Sequence, residues 1–226
     1  MKKKIWTSAD LDLHSIEPVC QRQAIEAFDD QDGGAFACTG YSWGATLAVV
    51  VHNFRVLKQR GMLEAALIEG YTGCKRDHRR WSLSVIQFLF DQCDRDKLRA
   101  IGAPLPGPGP FTVYRGVYRN GRQRQIRGFS WTGTLDVACW FARSIMCNNP
   151  TPAVYRATVT ADEVYCHCTE RSEDEFVCRP KRVSKIIITK EEMQAAVDRF
   201  REAMRDRQAK KLKASLAKQK KSSSRP

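Results

Sequence analysis

The sequence changes character at Gly102-Ala103-Pro104-Leu105-Pro106-Gly107-Pro108-Gly109-Pro110, where seven of nine residues are glycine or proline. Proline lacks a backbone N–H and glycine weakens regular elements, so neither a helix nor a central strand passes through this stretch. Apolar residues before it recur at helical spacing, and residues after it alternate as in strands. The chain is therefore predicted to be an α+β protein, with a helical N-terminal half and a β-rich C-terminal half.

Four helices are predicted before the break, because apolar residues recur there every three or four positions. They span residues 17–29, 46–60, 62–71 and 79–101. Pro18 is tolerated in the first turn of its helix, and Gly61 ends the second helix.

After the break, β-branched and aromatic residues predict strands, and Arg119-Asn120-Gly121-Arg122 predicts a turn between the first two. The strands span residues 111–117, 126–131, 153–160, 164–168, 175–178 and 183–189. A helix is predicted over residues 135–145, with Thr134 as its cap. Thr189 caps a last helix, which begins at Lys190 and runs into a basic C-terminal tail.

The chain is strongly basic, since its 226 residues carry a formal net charge of +13. No acidic residue follows Asp206, whereas lysines and arginines continue to Arg225. This charge favours contact with an acidic polymer, and a solvated helix end is the plainer alternative for the tail. The basic N-terminus is followed by Ser8-Ala9-Asp10 and not by an apolar stretch, and no apolar run is long enough to span a bilayer. We therefore expect a cytoplasmic protein with no membrane partner.

Nine cysteines are scattered through both halves, an odd number that does not suit a disulfide framework. We expect reduced and mostly buried thiols. Cys166-His167-Cys168 together with Cys178 is a cluster to weigh as a zinc site, but its ligand spacing is poor for zinc. The sequence therefore predicts no metal.

Arg115 lies near the end of strand 111–117, beside Gly116, which has no side chain to obstruct it. A guanidinium in this position can hold a phosphate through two parallel hydrogen bonds. Ser130 and Thr132 share one face of the next strand and Trp131 points to the other, so two hydroxyls can hold a ribose or fix a carboxylate. A surface arginine and an ordinary strand end are the plainer alternatives.

Glu173-Asp174-Glu175 precedes the apolar strand Phe176-Val177-Cys178. Glu173 and Glu175 share a face if the segment is extended. Like charges side by side are costly, and a site that needs a concentrated negative potential uses such a pair. A solvated acidic turn is the alternative.

Together these residues suit cleavage of the glycosidic bond of NAD⁺. Release of nicotinamide passes through a sugar cation similar to the oxocarbenium ion of glycosidases. A fixed carboxylate stabilises that charge, a cation holds the diphosphate, hydroxyls hold the ribose, and a second carboxylate activates the incoming nucleophile. The chain has no dinucleotide fingerprint after an early strand, which argues against a Rossmann dehydrogenase.

The order Tyr-Arg-Gly, Phe-Ser-x-Thr and Glu-x-Glu, followed by a short apolar strand and Pro180, resembles the arginine–serine–glutamate class of mono-ADP-ribosyltransferases. This class contains cholera-like and binary-toxin enzymes and vertebrate arginine-directed transferases. The similarity covers roughly residues 111–189. The chain departs from the usual Ser-Thr-Ser motif, because Trp131 stands in its centre and the third position has no serine.

The resemblance implies a β-rich ADP-ribosyltransferase-like sandwich with an NAD cleft, and NAD⁺ as co-substrate. Arg115 would contact NAD⁺, chiefly its phosphates, and Gly116 beside it would also belong to the NAD⁺-binding site. Ser130 would brace the nicotinamide pocket and the catalytic glutamate, and Thr132 would add a second hydroxyl to the NAD⁺ site.

In the same resemblance, Glu175 is the catalytic glutamate, which binds the nicotinamide ribose. Glu173 would act on the acceptor, and a glutamate there is associated with arginine acceptors in the family. Residues 162–172 would form the target-recognition loop. Glu173 thus argues for a protein arginine as acceptor, whereas the basic tail argues for RNA or DNA, with Trp131 and Tyr165 as candidates for stacking on bases.

Three regions are therefore expected. Residues 1–110 form a mainly helical region that packs on the catalytic part or caps it, residues 111–190 form the catalytic core, and residues 191–226 form a helix with a basic tail that is disordered over 222–226. The predicted function is a mono-ADP-ribosyltransferase, such as a toxin or a phage or defence-system effector, with an antitoxin or inhibitor protein as a further partner. The alternatives are a non-enzymatic nucleic-acid-binding protein and an NAD⁺ glycohydrolase.

Overall fold

The computed structural model describes residues 5–42, 44–73, 80–118, 126–143, 151–169 and 173–223. The chain divides into two compact units, the first comprising Met1–Pro108 with Val164–His167 and the second Gly109–Glu163 with Cys168–Pro226. The main boundary falls inside the proline- and glycine-rich stretch, and the C-terminal helix belongs to the second unit. Helices and an antiparallel sheet both occur in the described residues, which confirms the predicted α+β class.

The first unit is helical. Its helices are α1 (Pro18–Asp29), α2 (Gly33–Cys38), α3 (Thr46–Gln59), α4 (Leu63–Thr72), α5 (Leu83–Asp91) and α6 (Arg95–Ile101). Helices α1, α3 and α4 confirm the three predicted over residues 17–29, 46–60 and 62–71. The sequence does not predict α2, which has six residues and begins with two glycines. Its start is fixed by the Asp32 carboxylate, which accepts a hydrogen bond from the Ala35 N–H.

The single helix predicted over residues 79–101 is wrong, because α5 and α6 are separated at Asp94. The Asp94 carboxylate accepts hydrogen bonds from the N–H groups of Asp96 and Lys97, at 2.9 and 3.2 Å. The Asp94 N–H donates to the buried Glu64 carboxylate at 2.9 Å. A residue that caps a helix in this way has non-helical backbone angles, so the helix that precedes it must end.

Helix α3 is the buried centre of the first unit, with Leu47, Val49 and Leu57 fully covered. Gly70 of α4 allows a close approach, since a Cβ at this position would lie 2.9 Å from the Val50 side chain of α3. The apolar face predicted for residues 46–60 is therefore core.

The remaining elements are β1 (Phe111–Val117), β2 (Ser130–Thr132), α7 (Leu135–Ala142), β3 (Ala153–Val159), β4 (Val164–Cys168), β5 (Glu175–Cys178), β6 (Ser184–Lys185) and α8 (Lys190–Ser223). Strands β5, β2, β1, β3 and β6 lie side by side in this order in the second unit. β1 pairs with β3 over seven residue pairs, and β2 pairs with β5 over three. A single pair, Tyr114 with Thr132, relates β1 to β2. Among the described residues, β1 and β2 therefore share the shortest strand pairing of this sheet.

The strands predicted at 111–117, 164–168 and 175–178 are confirmed, and the strand predicted at 153–160 ends one residue earlier. The strand predicted at 126–131 is wrong in its extent, because residues 126–127 form a turn and the strand comprises Ser130–Thr132. The strand predicted at 183–189 is also too long, since only two residues of it pair, at the sheet edge. The turn predicted at 119–122 lies outside the described residues.

The described strands of the second unit form one sheet. Two sheets facing each other, as the resemblance implies, are not observed among these residues. Helix α7 packs on β1 and β3, and α8 packs on α7. The core between them contains Ala138, Cys139, Ala142, Val154, Met193, Ala196 and Val197.

Helix α8 begins at the predicted cap. The Thr189 N–H donates to the Glu192 carboxylate at 2.8 Å, and the Glu192 N–H donates to the Thr189 hydroxyl at 3.1 Å. The helix continues to Ser223 and so includes the first two of the residues predicted to be disordered, 222–226, whereas residues 224–226 lie outside the described range. Thr134 precedes α7 but makes no side-chain cap, because its hydroxyl lies near Thr132 instead.

Among the described helices, none has both the length and the apolar character needed to cross a membrane. The cysteines described are free thiols. Three of them are buried, namely Cys139, Cys166 and Cys178.

Candidate functional site

The sheet register brings two of the predicted site residues face to face. Thr132 of β2 lies opposite Glu175 of β5, and Ser130 lies opposite Val177. Residues two positions apart on a strand share a face, so Ser130, Thr132 and Glu175 lie on the same side of the sheet. Ser130 and Glu175 are diagonal neighbours on adjacent strands, a relation that corresponds to about 7–8 Å.

Thr132 positions the segment that leads into β5. Its hydroxyl donates to the Glu173 carbonyl at 2.6 Å and accepts from the Thr134 N–H at 3.2 Å. The Gly133 N–H donates to the Asp174 carbonyl at 2.9 Å. Because Thr132 is only 5% exposed and its hydroxyl is used in this way, its observed contacts hold the site together.

The turn before β5 depends on two residues that the sequence analysis did not single out. Asp174 has φ +45°, a left-handed conformation that aspartate tolerates better than most residues. A Cβ on Gly133 would lie 2.0 Å from an Asp174 carboxylate oxygen, so a side chain at this position would displace the Asp174 carboxylate. The sequence contains Thr132-Gly133-Thr134 and Glu173-Asp174-Glu175, but the contact between these two stretches becomes apparent only when β2 pairs with β5.

The left-handed turn also corrects one prediction. Glu173 and Glu175 would share a face only if the segment were extended, and alternation does not continue through Asp174. Glu175 is the first residue of β5 and is 6% exposed. Glu173 is partly buried before the strand. The two carboxylates therefore have different surroundings.

Glu173 lines a cavity of about 270 Å³ beside α7 and α8. The cavity is lined by Trp140, Glu173, Phe200, Arg201, Met204 and Arg205. The Trp140 and Phe200 rings have centroids 5.2 Å apart. The site thus combines an apolar aromatic wall with one carboxylate and two guanidinium groups.

The α8 side of this cavity was not predicted from the sequence. Phe200 and Met204 are four residues apart, as are Arg201 and Arg205, so an apolar pair and a cationic pair run side by side along the helix. The helix meets α7 where Arg199 makes two hydrogen bonds to the Asp136 carboxylate, at 2.7 and 3.0 Å. This contact spans 63 residues of sequence.

Arg115 reaches the serine strand but contacts its backbone. β1 pairs with β2 at Tyr114, and the neighbouring Arg115 guanidinium donates a hydrogen bond to the Ser130 carbonyl. It also lies against Gly128, where a Cβ would be 2.4 Å from Nη2. Because Tyr114 lies opposite Thr132, Arg115 projects from the face of the sheet opposite to Ser130, Thr132 and Glu175.

Arg115 and Glu175 both interact electrostatically with the Cys178 thiol. Burial raises the pKa of the Cys178 thiol well above its ordinary value, with Arg115 opposing this rise and Glu163 and Glu175 adding to it. The arginine and the glutamate are therefore both within electrostatic range of one thiol at the end of β5.

Gly116 has a packing role. A Cβ here would lie 1.8 Å from the Ala138 carbonyl oxygen and 2.6 Å from the Ala142 nitrogen. Both atoms belong to the backbone of α7, so glycine is required for the helix to lie on β1.

The aromatic residues considered for base stacking are part of the core. Trp131 is 1% exposed, and its indole N–H donates to the Gly128 carbonyl at 2.8 Å. Tyr165 is 8% exposed, and its hydroxyl accepts from the Gln87 amide at 2.9 Å. Residues 162–172 are not mainly a loop, since they include β4, and residues 170–172 lie outside the described range.

In comparisons with protein-family models, with curated proteins and with solved structures, the chain matches none.

Proposed function

We propose that the protein is a mono-ADP-ribosyltransferase that moves ADP-ribose from NAD⁺ to a macromolecular acceptor. The observation that carries this proposal is the alignment of Ser130, Thr132 and the buried Glu175 on one face of the sheet. Glutamate is seldom this buried without a specific reason, so a carboxylate at this point is informative. The Ser130 hydroxyl makes no hydrogen bond to a described residue, and it can bind the substrate.

In the proposed reaction, the bond between the ribose C1′ and the nicotinamide nitrogen breaks. Its electron pair goes to nicotinamide, which leaves as a neutral molecule, and positive charge develops on the ribose. Glu175 stabilises this charge, and its limited exposure strengthens the interaction because little water screens it. The resemblance assigns the diphosphate to the Arg115 guanidinium, which projects from the opposite face of the sheet and contacts the Ser130 backbone.

The acceptor nucleophile then attacks C1′ and loses a proton to the Glu173 carboxylate. The environment of Glu173 supports an acceptor that carries phosphate. Arg201 and Arg205 border the same cavity, and α8 is exposed from Arg201 to Lys213 apart from Met204. This exposed segment is rich in lysine and arginine, so RNA or DNA is the acceptor that its charge favours, and a protein arginine is the alternative.

The test uses NAD⁺ labelled on its adenylate, incubated with the full chain and with single-stranded RNA, single-stranded DNA or an arginine-rich protein. Wild type is expected to release nicotinamide and to label one acceptor. Glu175→Gln should release nicotinamide at least about 100-fold more slowly, the effect of losing a main electrostatic stabiliser. Glu202→Gln is the matched control, because this glutamate is exposed on α8.

The outcomes separate the three hypotheses. Release of nicotinamide with only free ADP-ribose as labelled product identifies an NAD⁺ glycohydrolase. Salt-sensitive binding to nucleic acid without any release identifies a non-enzymatic binding protein. Equal rates for wild type and Glu175→Gln, at equal melting temperature, exclude Glu175 as the catalytic residue.

A further inference from the structure

A second group of chemically active side chains lies in the first unit, remote in sequence from the residues of the proposed reaction. Asp12, His14 and His52 each offer one ligand atom, and these atoms all lie within 4.8 Å of one another. The His14 and His52 rings have centroids 4.4 Å apart and planes inclined by 32°. Two imidazoles and a carboxylate are a ligand set that zinc and similar divalent transition metals prefer.

The backbone that carries this group is fixed by a buried residue. Asn53 of α3 is 1% exposed. Its side-chain oxygen accepts from the Asp12 N–H at 2.7 Å, and its nitrogen donates to the Asp12 carbonyl at 2.9 Å. His52 is the residue before Asn53, so the same turn of α3 that clamps Asp12 also presents the second histidine.

The Ser15 hydroxyl lies within hydrogen-bond distance of both imidazole rings. Ser15 Oγ lies 3.3 Å from Nε2 of His14 and 2.8 Å from Nδ1 of His52. The other ring nitrogen of His14, Nδ1, contacts the Asp12 carboxylate. Hydrogen bonds to the second nitrogen of a histidine orient metal-binding imidazoles and strengthen them as ligands. Ser15 is 8% exposed, so this arrangement is held within the fold.

We propose that Asp12, His14 and His52 bind one divalent transition-metal ion, with Zn²⁺ as the representative. Ligand atoms around a tetrahedral zinc ion lie about 3.4 Å apart, given bonds of about 2.1 Å. The His14 side chain is 63% exposed and can rotate to close the set. The three protein ligands leave a fourth position for water, and the ion ties the segment before α1 to α3.

The experiment measures Zn²⁺ binding to the full chain by equilibrium dialysis and elemental analysis, without NAD⁺ or acceptor. Wild type is expected to bind one Zn²⁺ at this site, and its melting temperature should rise with added Zn²⁺. His14→Asn should weaken that binding by at least about 100-fold, since even outer-shell changes cost 10–100-fold. Asp29→Asn is the control, because Asp29 is exposed at the end of α1 and should bind Zn²⁺ as wild type does.

Co²⁺ distinguishes this site from the free thiols of the chain. Co²⁺ bound by two imidazoles and a carboxylate shows visible d–d bands without the near-ultraviolet charge-transfer band of a cobalt thiolate. His52→Asn should remove the same bands, with circular dichroism confirming that α3 remains folded. The proposal is overturned if wild type binds no Zn²⁺, if the bound Co²⁺ shows thiolate ligation, or if His14→Asn binds with unchanged affinity. This result does not depend on whether the protein has the proposed transferase activity.

Discussion

Substitution of Gly116 by alanine tests whether α7 lies directly on β1. The new Cβ would be 1.8 Å from the Ala138 carbonyl oxygen. To bring this contact from 1.8 to 3.0 Å, which real Cβ atoms essentially never undercut, α7 must move away by about 1.2 Å. The obstructing atoms are backbone, so no side-chain rotation relieves the clash.

The displacement would open the core between α7, α8 and the sheet, in which Ala138, Ala142 and Val154 are completely buried. Overpacked cores typically lose about 1–3 kcal/mol, and a clash with a helix backbone belongs at the upper end. For a chain of this length, a loss of about 3 kcal/mol lowers the melting temperature by about 6–12 °C. Differential scanning calorimetry at fixed protein concentration measures this change.

Gly34→Ala is the matched control. Its Cβ would meet only the Asp32 carboxylate, at an ordinary 3.5 Å, and alanine is favoured over glycine in a helix by about 0.5–1 kcal/mol. This variant should melt at or slightly above the wild-type temperature. If Gly116→Ala melts within about 2 °C of wild type, the packing explanation of Gly116 is refuted. If that variant also loses nicotinamide release, the original prediction that Gly116 serves NAD⁺ is the better one.

Two further predictions concern stability. Asp94→Ala removes the cap of α6 and should cost about 1 kcal/mol in the free energy of unfolding, measured by urea denaturation, whereas Asp206→Ala on the exposed part of α8 should change it by less than about 0.5 kcal/mol. Burial raises the pKa of the Cys139 thiol from its ordinary value of 9.0 to about 11. The Cys139 thiol therefore stays protonated in the folded state at pH values where it has ionised in the unfolded state. The free energy of unfolding should be unaffected by this thiol below pH 9 and should fall as the pH rises from 9 to about 11. In Cys139→Ala the free energy of unfolding should fall less steeply over this range, and an unchanged pH dependence would contradict the prediction.

The sequence predicts those parts of the site that depend on one strand and its neighbours. Alternation alone places Ser130 and Thr132 on one face, and the apolar run after Glu175 marks the strand that pairs with them. These are short-range patterns with a fixed period of two, so they are readable before any tertiary contact is known.

Features that depend on distant partners could not be read in this way. The break at Asp94 involves Glu64, 30 residues away, and the apolar stripe of residues 79–101 carries no sign of it. The cavity beside Glu173 exists because α8 returns to α7 through Arg199 and Asp136. The role of Gly116 likewise follows from where the α7 backbone crosses β1, which no residue of β1 specifies.

The turn at Asp174 gives a physical reason for two glutamates so close in sequence. Two carboxylates on one face of a strand would raise each other's pKa and oppose ionisation. The left-handed backbone at Asp174 ends the strand between them, so Glu175 lies buried on the sheet while Glu173 borders the cavity with Arg201 and Arg205. In the proposed reaction, Glu175 would face the ribose of the donor and Glu173 the acceptor, a division of roles that an uninterrupted strand would not provide.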